Sequence, residues 1–287
     1  MPDKRWTVLE LVGWTANYLK DKGFHNARLN AELLLAGSLG LKRLDLYLQY
    51  DRPLKPEELA EFKARLLRRA KREPLQYIDG HAAFRDLTLR VDPRVLIPRP
   101  ETEVLVQAVL DWAAGRDALT ALDVGTGSGA IALALATEGP FRRVVAADVS
   151  ADALEVARAN HSEAAPDAPV EFRPGSLYEP VAGERFDVIA SNPPYVGLEE
   201  RESLDPEVRE WEPAAALFAG TGGLEVIRPL VAQAPEHLEA GGLLAMEIGA
   251  AQADAVREIV VATGAFREPE VRRDLAGRDR IVLAELA

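Results

Sequence analysis

The stretch Asp123-Val124-Gly125-Thr126-Gly127-Ser128-Gly129-Ala130 decides the fold. It follows a short apolar run at residues 118–124 and precedes a helical pattern at 131–136, so it predicts a strand, a tight glycine turn and a helix. From there to the end of the chain, predicted strands alternate with predicted helices, which favours an α/β fold with a largely parallel sheet covered on both faces. The further strands are predicted at 144–148, 170–173, 186–191, 243–248, 270–272 and 281–285.

A second stretch, Asn192-Pro193-Pro194-Tyr195, follows the predicted strand at 186–191. The two prolines end that strand and stiffen the turn, and open α/β sheets bind ligands at the carboxyl ends of such strands. If the Asn192 side-chain carbonyl and the Pro193 backbone carbonyl each accept one N–H, they hold a planar NH₂ group toward an electrophile while Tyr195 stacks on it. We therefore predict that Asn192, Pro193, Pro194 and Tyr195 are catalytic and bind the substrate, although alone they would also suit an ordinary turn.

The glycine turn also fits the dinucleotide pattern G-x-G-x-x-A, with Asp148 about 20 residues further on. Two features favour S-adenosyl-L-methionine over a nicotinamide cofactor. First, Asp123 places a carboxylate at the end of its strand, where it would repel a pyrophosphate but attract an ammonium or sulfonium group. Second, the Asn192 turn follows a strand that is expected to lie beside the strand of Asp123. Asp148 is expected to accept both ribose hydroxyls. The predicted cofactor-binding residues are Asp123, Gly125, Thr126, Gly127, Ser128, Gly129, Asp148, Val149, Ser176, Leu177 and Asn192.

Composition limits the classes of protein. The 287 residues are 48% hydrophobic and 28% charged, as in ordinary globular proteins, and are enough for two domains. The absence of cysteine excludes disulfides and thiolate metal sites and fits a cytoplasmic location. The four histidines show no metal-ligand spacing, so no metal site is expected. The first residues lack the apolar stretch of a signal peptide and no run is long enough for a membrane span, so no membrane association is expected.

Charge is divided unevenly along the chain. Residues 1–80 carry 15 Lys and Arg against 11 Asp and Glu, a net +4, whereas the remainder carries 19 against 35, a net −16. This asymmetry indicates two units with different partners. The acidic unit is poorly suited to bind duplex DNA, because DNA affinity depends largely on neutralising phosphates. We expect no direct contact with nucleic acid, and a monomer.

The first part of the chain predicts a small helical bundle at residues 1–75, with helices at 8–22, 26–40, 44–50 and 56–72. Thr7 and Glu10 are predicted to form a capping box at the first of these helices. The last carries a basic run, which is typical of a solvated face near a helix carboxyl end. The alternative is a docking surface for a partner bound to RNA. The run comprises Lys63, Arg65, Arg68, Arg69, Lys71 and Arg72.

Residues 76–100 are predicted to connect the bundle to a catalytic domain at 101–287. The alternating pattern of residues 84–91 favours a hairpin strand. The proline-rich turn Leu96-Ile97-Pro98-Arg99-Pro100-Glu101-Thr102-Glu103 then enters a helix. Because this turn is rigid, we expect it to pack beside the catalytic pocket, with Arg99 or Glu101 contacting cofactor or substrate.

Together these motifs resemble the HemK/PrmC family of release factor glutamine methyltransferases, over nearly the whole chain. The resemblance implies a class I, Rossmann-like, S-adenosyl-L-methionine-dependent methyltransferase with an N-terminal bundle that docks class 1 peptide chain release factors. It implies methylation of the side-chain nitrogen of the glutamine in their Gly-Gly-Gln motif, with Asn192 to Tyr195 gripping the amide. The motifs are residues 73–78 with Gly80, 96–103, 123–129, Asp148, 192–195, 212–213 with 216–217, and 247–249 with Gln252.

Two other substrates use similar chemistry. A glutamine of a ribosomal protein would need the same active-site residues. DNA adenine or cytosine N4 methylation also uses an Asn-Pro-Pro-Tyr turn on an exocyclic amine, but the net charge of −16 outside the bundle disfavours it. After the third strand this chain has Ser176 and Leu177 where the family often has an acidic residue or a large aromatic near the adenine.

Overall fold

The computed structural model describes residues 5–287, which divide into two compact units. The first contains the described residues up to Gly80 together with Pro206–Trp211, and the second contains His81–Asp205 and Glu212–Ala287. The segment expected to connect two domains, residues 76–100, is thus shared between the units. Within residues 5–287, no helix combines the length and the apolar character needed to cross a membrane.

Local backbone chemistry explains the start of the first helix and the end of the second, whereas the helix predicted at 56–72 ends earlier, at Arg69. In α1 (Val8–Asp21), the Glu10 amide donates to Thr7 Oγ1 at 3.3 Å and the Thr7 amide to Glu10 Oε2 at 3.1 Å, which confirms the predicted capping box. The second helix ends at Gly40, whose φ of 63° lies in the left-handed region that glycine adopts without strain. The remaining helices of this part of the chain are α2 (Ala27–Leu39), α3 (Arg43–Leu48), α4 (Pro56–Arg69) and α5 (Leu75–Asp79).

The core of the first unit is formed by apolar faces of α1, α2 and α4, and the basic run of α4 lies outside it. Four of its six cations form ion pairs within the same unit, and Arg69 is buried, so the run differs at this position from the predicted solvated face. Such pairs contribute little individually unless they are buried. The pairs are Arg65 with Glu61 and Asp79, Arg68 with Glu73, and Arg69 and Arg72 with Glu207.

The second unit opens with an antiparallel hairpin, β1 (His81–Phe84) and β2 (Leu87–Arg90). The sequence predicts one strand across residues 84–91, but the chain reverses inside this range because Arg85 adopts a φ of 51°. The turn is held by the Arg85 amide, which donates to Glu103 Oε1 at 3.0 Å. The remaining elements are α6 (Pro100–Ala113), β3 (Leu119–Val124), α7 (Ala130–Glu138), β4 (Phe141–Asp148), α8 (Ala151–Ala164), β5 (Val170–Pro174), β6 (Phe186–Ser191), α9 (Pro206–Trp211, in the first unit), α10 (Ala214–Leu217), α11 (Ile227–His237), β7 (Leu238–Glu247), α12 (Ala253–Ala262), β8 (Glu270–Arg273) and β9 (Asp279–Glu285).

Seven strands form one mixed sheet in the order β5-β4-β3-β6-β7-β9-β8. The first five are parallel to one another, and β9 is antiparallel to both of its neighbours. Every residue of β3 is buried, because its side chains alternate between two hydrophobic clusters on opposite faces of the sheet. Ala121 belongs to the cluster formed with α6 and α7, and Leu122 to the cluster formed with α11 and α12. This architecture confirms the predicted α/β class.

Candidate active site

The carboxyl ends of β3 and β6 lie side by side, as the sequence predicts. The two strands are parallel neighbours with Val124 opposite Ser191, and the Ser191 hydroxyl donates to the Val124 carbonyl oxygen at 2.7 Å. The chain runs from β3 outward to β5 on one side and from β6 outward to β7 on the other. Open α/β sheets bind ligands at this reversal point. The glycine turn after Val124 and the Asn192 turn after Ser191 therefore flank one crevice.

A cavity of about 460 Å³ occupies this crevice, a volume typical of small-molecule sites. Most of the predicted site residues belong to its wall, and four do not. Asp123, Gly129, Tyr195 and Glu101 lie outside the lining. The predicted residues that line it are Arg99, Gly125, Thr126, Gly127, Ser128, Asp148, Val149, Ser176, Leu177, Asn192, Pro193 and Pro194.

The three glycines of the turn have two different tasks. Gly125 and Gly127 have φ angles of 75° and 55°, and a Cβ at either position would meet no atom within 4 Å. Their hydrogens therefore face open space where a ligand can approach the backbone. Gly129 has a φ of 84°, but its Cβ would lie 3.3 Å from Ala157 Cβ on α8. It permits close packing of helices, which explains why it is not in the cavity wall.

Asp123 is fully buried and contacts the turn, not the cavity. Its Oδ2 accepts from the Thr126 hydroxyl at 2.6 Å and from the Ala132 amide at 3.1 Å, while no described residue donates to its Oδ1. Burial raises the pKa of this carboxyl to about 7, against the effect of the Thr126 hydrogen bond. The expectation that Asp123 faces a cationic ligand is therefore replaced by a role in shaping the glycine turn.

Asp148 closes the opposite side of the same turn. Its Oδ2 accepts from the Gly127 amide at 2.8 Å and its Oδ1 from the Ser150 amide at 2.9 Å. Each carboxylate oxygen has a second lone pair, so Asp148 can still accept hydroxyl donors in the cavity. The next residue, Val149, lines the cavity with a side chain that is 74% exposed and offers an apolar surface to a flat group.

The turn after β5 supplies the third part of the wall, with Ser176 and Leu177. The Ser176 amide donates to Glu179 Oε2 at 3.2 Å. Leu177 has a φ of 49°, a conformation rare for leucine and typical of positions where the surrounding structure overrides local preference. The result is an apolar side chain held at the cavity edge.

Asn192 is joined to a buried hydrogen-bond network that the sequence did not predict. Its Nδ2 donates to Thr102 Oγ1 at 3.1 Å, and the Thr102 hydroxyl donates to Glu247 Oε2 at 2.6 Å. The other Glu247 oxygen, Oε1, accepts from the Tyr195 hydroxyl at 3.0 Å. No described residue donates to Asn192 Oδ1. The network therefore occupies the donor end of the Asn192 carboxamide and leaves its acceptor end available.

Glu247 anchors this network from the carboxyl end of β7, where it is 1% exposed. Burial raises the pKa of the Glu247 carboxyl, and three effects oppose this: the Thr102 and Tyr195 hydrogen bonds and the positive charge of Arg280. The Arg280 guanidinium lies 5.9 Å from the centre of the Tyr195 ring and donates to the Ile248 carbonyl oxygen at 3.0 Å. Glu247 is thus a buried acceptor of two hydroxyl protons with a cation nearby.

Tyr195 was predicted to stack on the substrate, and the structure places it elsewhere. Its ring packs against the hydrophobic cluster of α11 and α12, and its hydroxyl is held by Glu247. Its backbone carbonyl accepts from Gln252 Nε2 at 2.9 Å. A Cβ on Gly223 would lie 2.0 Å from that same carbonyl oxygen. These contacts make Tyr195 an anchor for the end of the Asn192 turn.

The proline-rich turn before α6 also packs at the cavity, as the sequence predicts. Arg99 lines it and forms an ion pair with Glu212, which also accepts from the Ile97 amide at 3.2 Å. Burial raises the pKa of the Glu212 carboxyl. Glu101, in contrast, lies outside the lining with its carboxylate 3.5 Å from Arg278. Of the two residues proposed to contact a ligand from this turn, the structure brings only Arg99 to the cavity.

Sequence reasoning identified the segments that contain Thr102, Glu212 and Glu247 but gave these residues no role. Each is a polar residue that the fold buries to 6% exposure or less. A glutamate at the end of an otherwise apolar strand, as in Leu243-Leu244-Ala245-Met246-Glu247, is the pattern that could have indicated such a role. Buried carboxylates require partners, but the partners lie far away in sequence.

Comparison with known proteins agrees with this fold. Residues 10–80 match the PrmC N-terminal domain family and residues 100–205 the methyltransferase small domain family. Among solved structures, a methyltransferase from Pyrococcus furiosus is similar with a TM-score of 0.53 and 20% identity over 78% of this chain and 96% of that one. An rRNA methyltransferase from T. thermophilus, solved with AdoMet and guanosine, is similar with a TM-score of 0.51 and 17% identity over 72% of this chain and 50% of that one. At these identities the similarity shows the fold alone.

Curated relatives are much more similar. The release factor glutamine methyltransferase of Geobacter sulfurreducens is 46% identical over 96% of both chains. Those of Chlorobaculum tepidum and Rhodopirellula baltica are 41% and 37% identical, each over at least 98% of both chains. The fold and these matches define an enzyme that transfers methyl groups. The chain belongs to the release factor glutamine methyltransferase family.

Proposed function

We propose that this enzyme transfers a methyl group from S-adenosyl-L-methionine to the side-chain amide nitrogen of the glutamine in the Gly-Gly-Gln motif of class 1 peptide chain release factors. The observation that carries the proposal is the hydrogen bonding of the Asn192 carboxamide. Its amide nitrogen is committed to Thr102, so its carboxamide can offer an acceptor to an incoming N–H beside the glycine turn. The family membership and the names of the relatives support the choice of substrate.

The residues present fit the proposed cofactor. The cavity wall combines a glycine turn with open space beyond Gly125 and Gly127, a carboxylate with remaining acceptor capacity at Asp148, and apolar surface at Val149 and Leu177. A nucleoside needs these three features: backbone approach, acceptors for its ribose hydroxyls and a flat apolar surface for its base. When bound, S-adenosyl-L-methionine supplies an electrophilic methyl group on a sulfonium.

The proposed task of the Asn192 turn is to hold and orient the amide. An amide nitrogen is a weak nucleophile, because its lone pair is delocalised into the carbonyl group. Asn192 Oδ1 and the Pro193 backbone oxygen would each accept one N–H, which fixes the nitrogen and stabilises the positive charge that develops on it. The nitrogen becomes acidic once it carries the new methyl group, so it can lose a proton to water without a strong general base. The prolines hold the two acceptors in place.

The first unit is the proposed docking site for the body of the release factor. Residues 10–80 match the PrmC N-terminal domain family, and the net charge of +4 on residues 1–80 contrasts with that of the rest of the chain. Most of the basic run on α4 is occupied by ion pairs within the unit, so the proposal does not rely on it. A release factor substrate would also imply a cytoplasmic location.

The experiment that tests the proposal incubates the enzyme with labelled S-adenosyl-L-methionine and a purified class 1 release factor. We expect one methyl group per release factor, located by fragment mass spectrometry on the glutamine of the Gly-Gly-Gln motif. A release factor with that glutamine changed to alanine is the matched control and should remain unlabelled. Ribosomal proteins and duplex DNA form the competing arms, and labelling of either in place of the release factor would overturn the proposal.

A further inference from the structure

We infer that Thr102 and Glu247 are positioning residues that fix the orientation of the Asn192 carboxamide, so that the site selects a primary amide and rejects a carboxylate of the same shape. This inference rests on the proposed function, because it concerns how the same site distinguishes glutamine from glutamate. It assigns to two buried residues a role in specificity, without direct contact between Glu247 and substrate.

The first step is the direction of the hydrogen bonds. A carboxylate can only accept, so the Thr102 hydroxyl must donate its single proton to Glu247, at 2.6 Å. The Thr102 oxygen can then only accept from Asn192. Of the two ends of the Asn192 carboxamide, only the NH₂ end can donate, and it lies 3.1 Å from Thr102 Oγ1. The acceptor oxygen of Glu247 thus determines, through the Thr102 hydroxyl, which end of the Asn192 carboxamide remains available.

The second step is the rigidity of this arrangement. Thr102 is 4% exposed in the first turn of α6, and Glu247 is 1% exposed at the end of β7. The Tyr195 hydroxyl holds the second Glu247 oxygen at 3.0 Å, which prevents the carboxylate from turning away from Thr102. Rotating the Asn192 carboxamide by half a turn would place two acceptors, Oδ1 and the Thr102 oxygen, against each other. It would also lose the hydrogen bond that Nδ2 donates to Thr102, which is worth about 0.5–1.5 kcal/mol.

The third step is the consequence for the ligand. In the proposed complex, Asn192 Oδ1 and the Pro193 carbonyl oxygen are two acceptors, and neither proline of the turn has an N–H to donate. A glutamine amide supplies two N–H groups, whereas a glutamate carboxylate supplies none and would be repelled. Specificity then arises because the two acceptor oxygens would remain without a hydrogen-bond donor in a complex with glutamate.

The test measures binding of two release factors, one with glutamine and one with glutamate in the Gly-Gly-Gln motif, by calorimetry in the presence of S-adenosylhomocysteine so that no turnover occurs. We expect the wild-type enzyme to prefer glutamine by at least about tenfold. In Thr102→Val the Asn192 carboxamide can rotate and offer its NH₂ group, so the preference should fall several-fold. Thr102→Ser retains the hydroxyl and should restore the wild-type ratio. A merely structural role would weaken both complexes equally and leave the ratio unchanged.

A second pair of variants keeps Thr102 in place. Glu247→Gln retains a carbonyl oxygen that can accept from Thr102 and should preserve the preference, whereas Glu247→Met removes the acceptor at similar volume and should reduce it. The inference is overturned if Thr102→Val and Glu247→Met keep the wild-type ratio, or if the wild-type enzyme shows no preference. Methyl transfer to the unaltered release factor is measured separately, so failure of the proposed function is distinguished from failure of this inference.

Discussion

Asn192 carries one acceptor and two donors on a short side chain, and its neighbours determine which of them a ligand meets. Thr102 occupies the donor end, and Glu247 in turn holds Thr102. The sequence predicts the position of Asn192, because a proline-stiffened turn after a buried strand has few alternatives. It does not predict the orientation of the carboxamide, because that orientation depends on hydrogen bonds between residues that are far apart in sequence. Thr102 precedes Asn192 by 90 positions, and Glu247 follows Thr102 by 145.

Asp123 gives a prediction about pH. Its pKa in the folded state is about 7 against an ordinary value of 3.8, so between these values the native state keeps a proton that the unfolded state loses. Raising the pH from 4 to 7 should therefore lower the free energy of unfolding of the wild type relative to Asp123→Asn, by at most about 4 kcal/mol, with little further change above this range. Chemical denaturation at a series of pH values measures the difference. Parallel curves for the two proteins would contradict this account of Asp123.

At the scale of elements, the sequence predicts most of the second unit. The strand predicted at 186–191 is observed with the same bounds, and the adjacency of β3 and β6 is confirmed. These predictions succeed because buried parallel strands are continuous apolar runs and the turns between elements are marked by glycine and proline. The hairpin of β1 and β2 was predicted less well, because its reversal depends on Arg85, which a distant glutamate, Glu103, holds in a left-handed conformation.

The glycine turn gives a prediction with a matched control. Gly127→Ala and Gly115→Ala both place a side chain at a positive φ with no atom within 4 Å, so each should cost roughly 1–2 kcal/mol of stability. Only Gly127 lines the cavity. We therefore expect Gly127→Ala to weaken binding of S-adenosylhomocysteine by about tenfold or more, and Gly115→Ala to leave it unchanged. Calorimetry measures both affinities, and equal affinities in the two variants would exclude a role of this turn in holding the cofactor.

At the scale of the whole molecule, the first unit is not continuous in sequence. It includes α9, which follows the Asn192 turn by about ten residues in the chain and supplies Glu207 to Arg69 at 3.0 Å, a contact across 138 positions. Arg69 is buried and its guanidinium lies 4.4 Å from the centre of the Phe24 ring. The sequence indicated a long segment after Asn192 but gave no reason to assign part of it to the bundle, since one helix of six residues carries no long-range information.

This organisation predicts the effect of removing Glu207. In Glu207→Ala, Arg69 keeps its hydrogen bonds to Asn30 and to the Glu73 carbonyl but loses its counter-charge. We expect a loss of about 1–3 kcal/mol in the free energy of unfolding and faster proteolysis within residues 198–217. Glu210→Ala is the control, because Glu210 is exposed and forms an ion pair with the adjacent Arg209. Equal proteolysis of the two variants would show that Glu207 does not hold this segment.

The central claim is that the Asn192 carboxamide oxygen holds the amide that receives the methyl group. The most direct measurement compares Asn192→Ala with the wild type, both for methyl transfer to a release factor and for the affinity of S-adenosylhomocysteine. We predict that kcat/KM falls by at least about 100-fold, while the cofactor affinity stays within a few-fold of the wild type. Methyl transfer at the wild-type rate in Asn192→Ala would contradict the claim.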